Sequence, residues 1–176
     1  NWGCNVMVKL LLAGTGLIGH RHMQHILEHP DLELVGVIDP LITDEKIEGV
    51  KTYHSLNDVN NVAEGIILAT PTETHADLTI QSLEMGLHVL VEKPVAASLP
   101  EADKMIRASE KTGLSILVGH HRRHHPLVNE TINIIKSGKI GRPVAASLMW
   151  LMRKQDEYFD VEWRKGIDGG PIKQNL

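Results

Sequence analysis

The chain has 176 residues, with 18 Lys and Arg against 22 Asp and Glu, a formal net charge of −4. That balance excludes the basic excess on one face that marks a nucleic-acid partner, and the apolar runs, a few residues each, fall far short of the roughly 20 needed to span a bilayer. A single cysteine, Cys4, excludes an internal disulfide framework and predicts a cytoplasmic protein, while three Trp, two Tyr and one Phe leave the core to Leu, Ile and Val.

Short β-branched apolar runs alternate with longer segments of helical periodicity, the pattern of βαβ units around a parallel sheet. Residues 6–13 predict a buried strand, followed by a Gly-rich turn and a helix over 17–27 that His29-Pro30-Asp31 ends. Residues 32–38 predict a second strand closing on Asp39-Pro40. Residues 41–64 carry little periodicity apart from a short strand at Thr52-Tyr53. A strand at 65–69 stops at Thr70-Pro71, a helix at 74–85 is closed by Gly86, and 88–91 form a further strand. Ser98-Leu99-Pro100-Glu101 reads as a capping box opening a helix that Gly113 stops. Within that helix Leu99, Ala102, Met105 and Ile106 predict a core-facing stripe. Residues 115–118 are the sixth strand. After Gly119 a loop rich in His and Arg runs to Pro126, then a helix at 127–137 and an extended segment at 144–152.

Gly14-Thr15-Gly16-Leu17-Ile18-Gly19 lies directly between the first strand and the first helix. In a G-x-G-x-x-G turn the first glycine permits the tight turn, the second lets backbone approach a pyrophosphate, and the third lets helix and strand pack closely. The helix N-terminus then offers free N–H groups and the positive end of its dipole to phosphates. Asp39 stands twenty residues past Gly19, at the end of the second strand, where a carboxylate accepts hydrogen bonds from the adenosine ribose and repels a 2′-phosphate. Strand, glycine turn, helix and acid together are the dinucleotide fingerprint. They predict an α/β chain with a Rossmann-type doubly wound parallel sheet. They also assign Gly14, Thr15, Gly16, Leu17, Ile18, Gly19 and Asp39 to a site that takes NAD rather than NADP.

Three further motifs follow strands, where open α/β sheets bind their ligands: Ala69-Thr70-Pro71-Thr72-Glu73-Thr74-His75, Glu92-Lys93-Pro94, and the loop from Gly119 through His120, His121, Arg122, Arg123, His124 and His125 to Pro126. In this order, with Trp163-Arg164 and Gly169-Gly170-Pro171 beyond them, they resemble the glucose–fructose oxidoreductase and inositol dehydrogenase (Gfo/Idh/MocA) family from Met7 onward. The resemblance implies that Ala69, Thr70, Pro71, His75, Glu92, Lys93 and His121 line the cofactor. It further implies that Lys93, before a cis Pro94, orients a substrate hydroxyl and assists proton transfer, with Arg122, Trp163 and Arg164 also contacting substrate. Arg122 and Arg123 are equally readable as partners of acids. His120 and His121 depart from the aromatic residue and Asn usual in relatives.

The same resemblance divides the chain into a dinucleotide-binding domain, residues 1–121, and the start of a truncated α+β substrate and oligomerisation domain, residues 122–176. In relatives the Gly-Gly turn leads to an Asp-x-x-x-His pair whose His is the general acid/base. Asn175 stands at the Asp position, and that His would fall three residues beyond Leu176. The expectation is an NAD-dependent oxidoreductase acting on a small-molecule sugar, cyclitol or related polyol, homo-oligomeric when whole. The fragment would keep Lys93 and Asn175 as catalytic positions, bind NAD and turn over poorly. The alternative is a module that holds NAD(H) without turning it over; a methyltransferase is disfavoured by Glu92-Lys93-Pro94 and the spacing of the third glycine.

Eleven histidines raise the question of a metal. His22, His25 and His29 share one side of the first helix, and four more crowd the Gly119 loop. Zinc needs three or four convergent ligands with supporting groups, so no metal site is expected and these histidines are read as solvated faces and loop contacts.

Overall fold

The computed structural model describes residues 7–60 and 62–147, together with 149, 151, 153, 155, 156 and 160. Contacts divide the chain into two compact units, Asn1–Gly119 and His120–Leu176. In the first, the elements follow as β1 (Val8–Ala13), α1 (Leu17–Glu28), β2 (Leu32–Ile38), β3 (Lys46–Ile47), β4 (Val50–Tyr53), β5 (Gly65–Leu68), α2 (His75–Glu84), β6 (His88–Val91), α3 (Leu99–Thr112) and β7 (Ile116–Val118). The sheet order is β3-β4-β2-β1-β5-β6-β7. Every neighbouring pair is parallel except β3 and β4. Leaving β3 aside, this is the doubly wound order in which strand succession reverses beside the first strand, and the crevice at that switch point lies between the carboxyl ends of β1 and β5.

The strand sequences explain the layers. A parallel sheet covered on both faces calls for unbroken apolar runs, and Gly65-Ile66-Ile67-Leu68 is buried throughout. Alternation then sends neighbours to opposite faces. Leu11, Ala13, Ile66 and Leu68 pack with Ala76 and Leu83 of α2 and Met105 of α3, whereas Leu12, Val37 and Ile67 pack with Met23 and Ile26 of α1. The register between β1 and β2 slips after Leu10, so that Leu11 lies opposite Gly36. A Cβ on Gly36 would come within 2.9 Å of both the Leu11 side chain and the Tyr53 ring, so the bare Cα there makes room for two core residues.

Two expectations are corrected. The weakly patterned stretch contains an antiparallel hairpin, β3–β4, in which Ile47 pairs with Val50 around Glu48 (φ 49°) and Gly49 (φ 81°). Positive φ at both central residues is the hairpin geometry that Asn-Gly or Asp-Gly usually announces; Glu48 gives no such signal. In α3, Ser98 Oγ accepts from the Glu101 amide and Gly113 ends the helix at φ 72°, as the capping pattern predicts. The stripe does not hold, because Leu99 and Ile106 are 83% and 53% exposed and only Met105, at 1%, is deeply buried. Ile106 follows Met105 directly, about 100° further round the helix, and so lies off its face. Of the extended segment expected at 144–152, the described residues 144–147, 149 and 151 pair with no strand.

In the second unit a 3₁₀ turn, His121–His124, precedes α4 (Pro126–Lys136). His125 caps that helix, its Nδ1 accepting from the Leu127 amide at 3.2 Å. Trp163, Arg164, Gly169-Gly170-Pro171, Asn175 and Cys4 lie outside the described residues. Among the described residues no helix is long and apolar enough to cross a membrane.

Met105→Ala is expected to lower unfolding free energy by about 2–5 kcal/mol, and Ile106→Ala by about 0.5 kcal/mol or less. Urea unfolding followed by circular dichroism measures both, and equal losses would contradict the orientation of α3.

Candidate functional site

At one edge of the sheet, the residue following each of five strands extends the ladder by one hydrogen bond. Asp39 N donates to Tyr53 O (2.9 Å), Gly14 N to Ile38 O (2.8 Å), Ala69 N to Ala13 O (2.8 Å), Glu92 N to Leu68 O (2.9 Å) and Gly119 N to Val91 O (2.8 Å). The four motifs and the acid singled out in the sequence therefore begin side by side, in the order Asp39, Gly14, Ala69, Glu92, Gly119.

The three glycines of the turn differ in what they permit. Gly14 has φ 94°, and a Cβ on it would strike the Ala69 carbonyl; a Cβ on Gly19 would strike the carbonyl oxygen of Gly14. Both are demanded by backbone lying on backbone. Gly16 is different: a Cβ there would meet nothing within 4 Å. It caps α1 without a side-chain hydrogen bond, and no acidic residue occupies the first turn. Leu17 and Ile18 are exposed beside it. An α-helix leaves its first N–H groups without intrahelical partners, so this open end presents free donors and the positive end of the helix dipole, which suit an anion.

Asp39 is held by that same turn. Its Oδ2 accepts from the Thr15 amide at 2.9 Å and from the Thr15 hydroxyl at 2.6 Å, and its Oδ1 accepts from the Leu41 amide at 3.0 Å. Burial works against the charge, but the Thr15 hydroxyl and the Leu41 and Thr15 amides outweigh it and hold the carboxyl below its ordinary 3.8. Of the roughly four acceptor positions on a carboxylate, three are filled, leaving one on Oδ1.

Across the switch point, the Thr74 hydroxyl lies 2.7 Å from that of Thr70 and 2.8 Å from the Pro71 carbonyl oxygen. His75 is 1% exposed. Its Nδ1 is 2.8 Å from Pro94 O and its Nε2 2.9 Å from Thr70 O, so the ring ties the Thr70 loop to the loop after β6. The Lys93–Pro94 bond is cis.

Glu92 is the most enclosed acid of the edge. Its Oε1 lies 2.9 Å from His22 Nε2, with side chains 14% and 23% exposed, and its Oε2 accepts from the Lys93 amide at 3.2 Å. Burial again opposes the charge; the His22 hydrogen bond, the Lys93 amide and the charges of His22 and Lys93 prevail, and the carboxyl sits below its ordinary 4.5. His22 was not legible as a site residue: it read as part of a helix face, and its partner lies seventy positions away. The one available signal was its place three residues after Gly19, in the second turn of the helix that the glycine turn opens. His121 and Arg122 lie in the 3₁₀ turn of the second unit, exposed to solvent. Among the described residues no three His, Cys, Asp or Glu are grouped to hold a metal ion.

A family model described as an oxidoreductase family with an NAD-binding Rossmann fold, GFO_IDH_MocA, matches residues 8–120. The chain belongs to this family. It is 31% identical over 141 residues to a 4-carboxy-2-hydroxymuconate-6-semialdehyde dehydrogenase of Sphingobium sp., covering 76% of the chain and 44% of that protein. It is likewise 31% identical over 147 residues to the scyllo-inositol 2-dehydrogenase (NAD(+)) of Bacillus subtilis, covering 78% of the chain and 42% of the relative. Among solved structures, the WlbA dehydrogenase of Chromobacterium violaceum, in complex with NADH and UDP-GlcNAcA, superposes with a TM-score of 0.72 at 25% identity, over 78% of this chain and 42% of that one. The chain thus spans less than half the length of these relatives.

Because Asp39 and Glu92 both lie below their ordinary values when folded, each contributes stability that is present above the unfolded value and lost as pH falls through the folded one. The melting temperature is expected to hold down to about pH 5 and to drop below about pH 4, and the drop should be shallower in a D39N/E92Q double variant. An identical acid limb in the double variant, read by differential scanning calorimetry, would refute this.

Proposed function

We propose that the chain binds NAD(H) across the β1–β5 switch point and that the protein containing it transfers hydride between a secondary alcohol of a sugar, cyclitol or related polyol and the nicotinamide. The observation that carries the cofactor reading is the carboxylate of Asp39, kept ionised by Thr15 from within the glycine turn itself. In this reading Gly14 and Gly19 shape the turn, and the N–H groups at Gly16, Leu17 and Ile18 receive the pyrophosphate. The open position on Asp39 Oδ1 accepts from an adenosine ribose hydroxyl, while the charge repels a 2′-phosphate and selects NAD over NADP.

Ala69, Thr70 and Pro71 line the next stretch of cofactor, and buried His75 serves it through the two loops it joins. Glu92 and Lys93 stand beside the nicotinamide, which supplies the hydride acceptor when bound. Lys93 orients the substrate hydroxyl and helps its proton leave, the work of a side chain positioned for general acid–base catalysis. His121, at the end of the dinucleotide-binding domain, is assigned to the cofactor, and Arg122, at the start of the substrate and oligomerisation domain, to substrate; Trp163 and Arg164 are assigned to substrate and Asn175 to catalysis by family likeness alone. Similarity to proteins named for scyllo-inositol and in complex with a sugar nucleotide supports the polyol class. Similarity to one named for a semialdehyde makes such aldehydes the second class to try.

Calorimetric titration of the chain with NAD and NADP tests the cofactor reading. NAD is expected to bind at least about tenfold more tightly, and tighter NADP binding rejects it. Gly16→Ala has room and an ordinary φ of −68°, so it should melt like the wild type yet bind NAD weakly, whereas Gly19→Ala should lose the fold. Polyol screening by NADH absorbance, on the protein expressed from its whole open reading frame, tests the reaction. NAD binding without turnover there would favour a binding module.

A further inference from the structure

His22 is a half-buried side chain at this edge to which the reading above gives no task. It stands in the second turn of α1, the helix opened by the glycine turn, yet its hydrogen bond goes to the acid that precedes the candidate catalytic lysine. We propose that His22 is a positioning residue for Lys93, holding the Glu92 carboxylate against Gly119 and so fixing the backbone from which the lysine projects. The inference rests on the reading that places Glu92 and Lys93 beside the nicotinamide.

Three contacts define the clamp. A carboxylate only accepts, so the His22 Nε2 that lies 2.9 Å from Oε1 carries the proton of that bond. On the other side Oε2 takes the Lys93 amide at 3.2 Å. Beneath them, a Cβ on Gly119 would fall 2.8 Å from Oε1, 2.9 Å from Cδ and 3.0 Å from Oε2; the carboxylate is laid flat over a bare Cα. With His22 truncated, the carboxylate loses the partner that fixes its rotamer and, with it, the geometry of the Lys93 amide contact. Both side chains are largely buried, so this is not the solvent-screened pair that contributes little at a surface. The phosphate-binding helix and the lysine-bearing strand end would thereby be set relative to each other by a single charge-assisted bond.

The test measures NADH and ADP-ribose binding by calorimetry in the wild type, H22A, H22Q, E92A and H22A/E92A. ADP-ribose has the adenosine and pyrophosphate but no nicotinamide. H22A is expected to weaken NADH roughly tenfold while leaving ADP-ribose within about twofold. H22Q, whose amide still donates to Glu92, should restore most of the loss, and H22A should add nothing in the E92A background. Unchanged NADH affinity in H22A, equal loss of both ligands, no rescue by H22Q, or additive losses in the double variant would each overturn the proposal. A wild type that binds neither ligand would instead remove the cofactor reading beneath it.

Discussion

A single methyl group on Gly14 or Gly19 would overlap backbone oxygen, from Ala69 in the first case and from Gly14 itself in the second. The β1–α1 turn is thus pressed onto β5 and onto its own helix with no side chain between them, and the site is built on that closeness. It lets α1 begin at the switch point rather than beside it. It brings Thr15 within reach of the Asp39 carboxylate at the neighbouring strand end, and it aims the second turn of the helix at Glu92. Moving the turn outward by one methyl group would lengthen all of these contacts together, since backbone in contact with backbone has no rotamer with which to adjust.

Two carboxylates flank the crevice, and both stay ionised against the cost of burial by different means. Asp39 is held by neutral donors from its own turn and the adjoining one, a hydroxyl and two amides. Glu92 is held by a histidine brought from another element and by the amide of the residue after it. The first arrangement depends on the local path of the backbone alone. The second depends on α1 being docked correctly on the sheet, through Met23 and Ile26 against Leu12, Val37 and Ile67. The environment of Glu92 therefore registers the packing of the opposite layer, whereas that of Asp39 does not.

This difference also separates what could be read from the sequence from what could not. Gly14, Gly19, Asp39, Ser98 and Gly113 act over a few residues or at a fixed spacing from a strand, so their placement follows from pattern. The hairpin at Glu48-Gly49 was missed because its left-handed first position is filled by Glu, with no turn signature. Leu99 and Ile106 looked apolar enough for the core, but their facing is decided by the helix azimuth that seats Met105. His75 was legible as a motif residue, yet the use of both its ring nitrogens depends on where the loop after β6 falls. The His22–Glu92 pair joins residues seventy apart, and no local pattern encodes such a meeting.

The same hairpin bears on how the molecule meets its own kind. A parallel sheet ends in rows of backbone donors and acceptors that other chains can extend. At the β3 edge that row is only two residues long, and Lys46 lies directly opposite Lys51, whose ammonium rests 4.9 Å over the Tyr53 ring. A stranger strand arriving there would find almost nothing to pair with and would crowd two cations. The turn thus leaves little backbone along that margin for a foreign strand to extend.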